Sequence, residues 1–457
     1  MSDSSGVTSG GVPSVPLLIG GASVTTGEWL DVMDPAAPRR VVGRAALASE
    51  ELSRKAVDAA HAASEKWGAL EPQQRVEILL SALGALEADR AANAELLSRE
   101  NGKIRREADV DVAVFAGRVR LAASLAGELN EKRHLPRVKS DTPLPPGTPE
   151  YRTEVTHLPL GVVTIVVPYN WPLAILSASL PYALVAGNAV IVKPPPSAPL
   201  ALSRTLHAFA SKLPPGVLSV VSGSNAAVAP LLTDPRIGRL VFTGSTAAGR
   251  TMMQLAAHNL TRVTLELGGN DPALVLEDAD LERPSLERMA RACFLTSGQV
   301  CMAIKRIYVH RSRYDQLVGG LSEILGGARV GNGAAATTTM GPLNSARQRE
   351  FVSSLVAEAK AAGHEVKEFG TIDEEGLEAG GHFLRPALVL DPSPNQRIVT
   401  EEQFGPAVPI LPYGDIDPVI ARLNSEWAGL GSSVWSADLE HAHRVASRLR
   451  AGTTWIN

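Results

Sequence analysis

Gly161-Val-Val-Thr-Ile-Val-Val-Pro-Tyr-Asn-Trp-Pro-Leu-Ala-Ile-Leu-Ser-Ala-Ser-Leu-Pro-Tyr-Ala-Leu-Val-Ala-Gly-Asn-Ala-Val-Ile-Val192 is the stretch on which the reading of the fold turns. It carries no charged residue, and a membrane span needs about 20 apolar residues. Pro168, Pro172 and Pro181 interrupt the run, and Asn170, Gly187 and Asn188 add polar or breaking positions. The stretch therefore reads as a buried strand, a helix and a second strand in succession. The same alternation continues outward. Val162–Val167, Ala189–Lys193, Leu218–Val221 and Leu240–Thr243 are short aliphatic runs, separated by helical patterns at 173–186, 198–212 and 225–232. Strands that alternate with helices predict parallel strands joined by crossovers. A second series follows: Ala273–Leu276, a helix over about 284–296, Arg306–His310, and helices at 313–326 and 345–362. The expected fold class is α/β, with two α/β units.

Upstream, residues 49–68 predict an amphipathic helix capped by Ser49, with Glu50 and Glu51 in its first turn. A second helix is expected from Pro72, carrying Val76, Leu79, Leu80, Leu83 and Leu86 on one side, and a third over Ala108–Leu129. Prolines 136, 143, 145, 146 and 149 then cluster before Tyr151-Arg-Thr-Glu-Val155, which predicts an extended arm or hairpin leaving the globule. Residues 1–14 are Ser/Gly-rich, with neither a basic start nor an apolar core, and read as a disordered tail rather than a signal peptide.

The 457 residues are 45% apolar and 20% charged, with a net charge of −4. That composition suits a globular protein, and without a dense Lys/Arg run it argues against nucleic acid as a partner. The ten histidines form no metal-binding motif. Two cysteines make no disulfide framework, so the expected compartment is a reducing cytoplasm.

Cys301 stands in Phe294-Leu-Thr-Ser-Gly-Gln-Val-Cys301-Met-Ala-Ile-Lys-Arg306, beside small polar residues. Glu266 lies upstream in Leu265-Glu-Leu-Gly-Gly-Asn270. A thiol nucleophile and a separate carboxylate base are what is needed to make a thioester and then hydrolyse it. Cys293 lacks polar neighbours and reads as core. Phe242-Thr-Gly-Ser-Thr-Ala-Ala-Gly-Arg250 joins a strand to a helix start; it reads either as a phosphate cradle or as a plain tight turn. Lys193 closes a buried strand and reads as a ribose or phosphate contact or as a solvated strand end. Asn170, between two prolines, reads as an oxyanion donor or a turn asparagine.

In order and spacing, Pro168–Pro172, Val192–Pro194, Phe242–Gly249, Leu265–Gly269, Ser297–Cys301 and Glu401–Pro406 together resemble the aldehyde dehydrogenase superfamily, of the NAD(P)-dependent hydrolytic type, from about Leu17 to Asn457. The resemblance implies a Rossmann-like dinucleotide-binding domain (15–135 and 158–269), a β arm for oligomerisation (136–157) and an α/β catalytic domain (270–457). It implies oxidation of a small-molecule aldehyde to a carboxylic acid through a thiohemiacetal and a thioester on Cys301. Asn170 and the Cys301 N–H would hold the oxyanion and Glu266 would activate water. Gly244, Ser245 and Gly249 would lie at the cofactor phosphates, Lys193 at the adenine-side ribose, Glu402 at the nicotinamide ribose and Phe404 beside the ring. Tyr169 and Trp171 would help line the substrate tunnel. A homodimer or homotetramer, with neither metal nor membrane, is the expected state.

Two departures from the family pattern stand out. Many members carry a ribose-binding glutamate three residues after the lysine; here that position is Pro196, which leaves NAD and NADP both open. Members also continue beyond the position of Asn457, so an open sheet edge at a final buried strand, 453–456, is expected. A catalytically impaired, cofactor-binding or structural member of the same fold is the alternative reading.

Overall fold

The computed structural model describes residues 12–130, 133–134 and 154–457. The uncharged stretch forms a strand, Val162–Val166, two short helices, Pro172–Ser177 and Leu180–Val185, and a second strand, Ala189–Lys193. The single helix expected over 173–186 is split. Pro181 has no N–H to continue the ladder and instead sits in the first turn of a new helix. No helix among the described residues is long and apolar enough to cross a membrane.

Two large sheets organise the chain. The first holds β1 (Leu17–Ile19), β2 (Ala22–Val24), β3 (Val162–Val166), β4 (Ala189–Lys193), β5 (Leu218–Val220), β6 (Ile237–Thr243) and β7 (Arg262–Glu266). Their order is β7-β6-β3-β4-β5-β1-β2, parallel from β7 to β5 and antiparallel beyond. After β3 the chain adds strands on one side, then returns to add β6 and β7 on the other. That reversal opens a crevice at the carboxyl ends of β3 and β6, where parallel sheets bind ligands. The second sheet holds β8 (Pro272–Val275), β9 (Arg306–His310), β10 (Glu365–Glu368), β11 (Ala387–Leu390), β12 (Ala407–Tyr413), β13 (Gly431–Trp435) and β14 (Thr453–Ile456), in the order β10-β11-β12-β9-β8-β13-β14. Only β10 runs antiparallel to its neighbour. The strands β3, β4, β8 and β13 are buried on both faces, which is why their sequences are continuous aliphatic or small-residue runs rather than alternating ones.

The helix over 49–68 forms as Glu50–Gly68, with the Ser49 hydroxyl accepting from the Leu52 N–H. Its Trp67 indole reaches the Leu184 carbonyl at 2.9 Å, tying it to the layer below. The helix expected from Pro72 breaks at Ala82 into Pro72–Ser81 and Leu83–Ala88, and Leu80 faces outward. Arg90–Asn101 is a helix that apolar spacing did not announce, because its buried face includes Asn93, Ser98, Glu100 and Asn101. The next helix runs Arg105–Ser124, ahead of the expected 108–129, and the helix expected at 225–232 shrinks to Pro230–Thr233.

Several boundaries move. Ser14, read as part of the tail, pairs with Arg44 in a small strand, and the Pro13 carbonyl accepts from the Arg44 N–H at 2.8 Å. Ala36 lies within the core of the second sheet although its neighbours in sequence belong with the first. Arg133–His134 pairs antiparallel with Glu154–Val155, while residues 135–153 of the expected arm lie outside the described residues. The final strand, β14, is an edge rather than a buried strand, with Thr453 and Trp455 exposed.

Candidate active site

The carboxyl ends of the first sheet's strands face the segments that enter the second sheet. Between them lies a cavity of about 420 Å³. Val167, Pro168, Tyr169 and Asn170 enter it from the end of β3, Lys193 from β4, and Thr243, Gly244 and Ser245 from β6. From the other side come Leu267 and Gly268 before β8, Cys301 before β9, and Glu402 and Phe404 before β12. Cys301, Asn170, Lys193, Gly244, Ser245, Glu402, Phe404 and Tyr169, far apart in sequence, thus share one wall system.

The Asn170 amide is buried and donates one N–H to the Gln299 carbonyl at 3.0 Å. An amide nitrogen carries two hydrogens, so the second remains for a ligand. The Cys301 N–H has no protein acceptor among the described residues. Burial pushes the Cys301 thiol up; the Lys305 ammonium pulls it back, and Glu402 pushes it further up. Lys305 is fully enclosed. Its ammonium donates to the carbonyls of Gly298 (2.9 Å) and Val300 (2.7 Å) and lies 5.0 Å from the centre of the Phe404 ring. Burial lowers its pKa, against the opposing charges of Glu402 and Asp271. Glu402 is in turn raised by burial and accepts from the Gly269 N–H at 3.3 Å. A side chain at Gly268 would put its Cβ 2.3 Å from a Glu402 carboxylate oxygen and would force that carboxylate to shift.

Ser245 lines the cavity and is the N-cap of the helix Thr246–Ala257, its hydroxyl accepting from the Ala248 N–H, so a helix N-terminus begins at the cavity wall. The Lys193 ammonium makes no hydrogen bond or ion pair among the described residues, and burial lowers its pKa. An uncommitted, half-buried cation beside a helix N-terminus is suited to an anionic ligand. Pro195, Pro196 and Ser197 complete that end, and Glu402 is the only acidic lining residue among those described.

Three expected residues stand elsewhere. Glu266 ends the edge strand β7 with its side chain in solvent, outside the cavity lining; its carbonyl accepts from the Gly244 N–H at 3.0 Å. Gly249 is buried on the helix side, where a Cβ would meet Leu267 at 2.5 Å; it lets the helix pack on the cavity wall and does not itself reach the cavity. Trp171 turns inward, with the Lys103 ammonium 4.0 Å from its ring centre, and does not line the cavity. Sequence reading missed Gln348, which lines the cavity and holds the carbonyls of Gln403 (2.8 Å) and Phe404 (3.1 Å), and the buried Lys305. Gln348 belongs to no segment whose local pattern signals a site, and Lys305, four residues after Cys301, shows its role only once it is buried.

The sequence model of the aldehyde dehydrogenase family matches residues 23–457. The chain is 33% identical to lactaldehyde dehydrogenase of Escherichia coli over 97% of its own length and 90% of that protein's. It superposes on the crystal structure of an NADP-dependent enzyme of E. coli with a TM-score of 0.89 at 30% identity, covering 96% of this chain and 89% of that one. The betaine aldehyde dehydrogenase of Staphylococcus aureus, solved in complex with NAD+, gives a TM-score of 0.88 at 28% identity, covering 96% and 86%. With the family pattern matched from residue 23 to residue 457 and the fold shared throughout, the chain belongs to the aldehyde dehydrogenase family, the oxidoreductases that act on the aldehyde group.

Proposed function

We propose that this chain oxidises an aldehyde to a carboxylic acid with NAD or NADP, using Cys301 as the nucleophile. The observation that carries the reading is that Cys301 and Asn170 line one cavity, with the second Asn170 N–H and the Cys301 N–H uncommitted among the described residues. The sulfur attacks the aldehyde carbon, and the two donors receive the charge that develops on oxygen. A bound nicotinamide supplies the hydride acceptor that turns the thiohemiacetal into a thioester. Hydrolysis then needs a base at the thioester; the reading assigns it to Glu266, whose carboxylate must swing in from its solvent-facing position to take a proton from the water that attacks the thioester carbon and releases the acid.

The residues present fit such a cofactor. Lys193, Ser245 and the start of the helix at Thr246 suit its phosphates and adenine-side ribose, Gly244 permits close approach, and Glu402 suits the nicotinamide ribose with Phe404 beside the ring. Pro196 neither binds ribose hydroxyls nor repels a 2′-phosphate, and Lys193 is free to pair with one, so the site accepts both cofactors. The solved structures named above span both cases, an NADP-dependent enzyme and an NAD+ complex. In this reading, 15–135 and 158–269 would bind the dinucleotide and 270–457 would carry the nucleophile.

The outward position of Glu266 supports a second reading, in which the thioester forms but water attack is poor and the chain is catalytically impaired. One experiment separates them. A spectrophotometric screen of aliphatic, aromatic and semialdehyde substrates with each cofactor is run on the unmodified chain and on Glu266→Gln. The proposed reading expects steady turnover in the unmodified chain and, in the variant, a stoichiometric burst followed by release slowed about 10²-fold or more. A variant with unchanged steady-state rate would remove Glu266 from the mechanism, and an unmodified chain that binds cofactor yet oxidises no aldehyde would favour the impaired reading.

A further inference from the structure

We propose that Glu107, outside the cavity, is a positioning residue for the oxyanion site: its carboxylate clamps the left-handed run Thr296–Gly298 and so holds the Cys301 N–H in register with the Asn170 amide. The inference rests on the function proposed above.

Three consecutive residues before Cys301 take positive φ: Thr296 (φ 51°, ψ 42°), Ser297 (φ 56°, ψ 34°) and Gly298 (φ 75°). For Thr and Ser such a conformation is sterically disfavoured and persists only where the surroundings over-determine it. Gly298 is required, since a Cβ there would lie 2.3 Å from the Gly405 carbonyl oxygen. The Ser297 hydroxyl donates to the Gly341 carbonyl at 2.8 Å. Glu107 takes both donors of Thr296: one carboxylate oxygen accepts its N–H and the other its hydroxyl, each at 3.2 Å.

From that clamp an unbroken chain of hydrogen bonds runs to the oxyanion donor. The Thr296 carbonyl accepts from the Gln299 N–H at 3.0 Å and from the Gln299 side-chain amide at 3.1 Å. The Gln299 carbonyl accepts from Asn170 at 3.0 Å, and Cys301 follows two residues on. The corner that carries Glu107 grips the Asn170 loop as well. Asn101 donates to the Tyr169 carbonyl, and Asp111 accepts from the Ala174 N–H at 2.7 Å. The Lys103 ammonium, 2.7 Å from Asp111, lies against Trp171. Lys103, Glu107 and Asp111 are all buried, so the corner Asn101–Asp111 acts as one rigid jaw that fixes both loops. Burial raises the Glu107 pKa, while the Thr296 N–H and the Lys103 charge favour its ionised form.

The test compares two covalent probes of Cys301. Acylation by p-nitrophenyl acetate develops an oxyanion, whereas alkylation by iodoacetamide does not. In Glu107→Ala we expect the acylation rate to fall about 30-fold or more, alkylation and NAD affinity to stay within about 3-fold, and amide exchange across 296–301 to quicken about 10-fold. Glu107→Gln, which keeps one acceptor, should recover part of the loss. Acylation within about 3-fold of the unmodified chain would overturn the proposal. So would an equal fall in acylation, alkylation and NAD affinity, which would mark general loosening. Should Glu107→Ala not fold, Thr296→Val removes one arm of the clamp, and a selective 3- to 10-fold loss of acylation is expected, with no selective loss overturning the proposal. If the unmodified chain is not acylated at Cys301, the proposed function fails; the exchange measurement then still decides the clamp, and unchanged exchange refutes it.

Discussion

The two ends of the cavity are built on opposite plans. At the Lys193 end, the wall consists of strand ends and a helix start, with an ammonium that has no partner among the described residues. At the Cys301 end nearly every polar group is committed. Thr296 is bound by Glu107, Ser297 by Gly341, Gln299 by Asn344 and Thr296, and the carbonyls of 298 and 300 by Lys305. The contrast suits the work proposed for each end. A binding surface gains from unsatisfied groups that the ligand completes, whereas a reacting centre loses rate when its donors can shift by about 1 Å.

Breaking the committed end should have the larger effects. Cys301→Ala is expected to remove aldehyde oxidation by a factor of about 10⁴ or more while cofactor still binds, as read by parallel turnover and fluorescence titration. If turnover survived, the nucleophile would lie elsewhere. Breaking the open end should act on binding alone. Lys193→Ala is expected to weaken cofactor about 10-fold, more for NADP than for NAD, with kcat within about 3-fold. A large fall in kcat with unchanged affinity would dissolve the distinction between the ends.

The smallest effect sharpens the electrostatics of the committed end. Because burial outweighs Lys305, the rate of Cys301 alkylation should rise through a midpoint above about 9, the ordinary thiol value, and not below it. Removing a cation disfavours the thiolate, so Lys305→Met should move that midpoint further up in a pH–rate series. A downward move would show that Lys305 does not act on the sulfur through its charge.

Much of the scaffold was legible because its signals are local. The fully buried strands β3, β4 and β8 are continuous aliphatic runs, and Ser49 with two glutamates marks a helix start wherever it occurs. The breaks at Ala82 and Pro181 were less legible, since apolar spacing continues across them while the backbone turns. The helix Arg90–Asn101 was missed because its buried face is partly polar, and the partners that satisfy it, such as Thr205 for Asn93 and the N–H groups of Leu200 and Ala201 for Glu100, come from a distant helix.

The site divides in the same way. Asn170, Lys193, Gly244, Ser245, Cys301, Glu402 and Phe404 stand in segments whose order and spacing point to them, and they do meet around one cavity. Glu266, Gly249 and Trp171 were read in the same manner and face elsewhere, because motif position fixes where the backbone passes and not which way a side chain turns.

By itself, the sequence determined the alternation of strand and helix, the family, and the residue types available for chemistry, since periodicity and chain order are properties of the chain alone. Only the tertiary structure decided that a carboxylate at 107 would grip a threonine at 296, that Lys305 would be sealed beneath the nucleophile, and that the Glu266 carboxylate would stand in solvent. Those outcomes depend on burial and on hydrogen bonds between segments up to 189 positions apart, and no local window of sequence contains both partners.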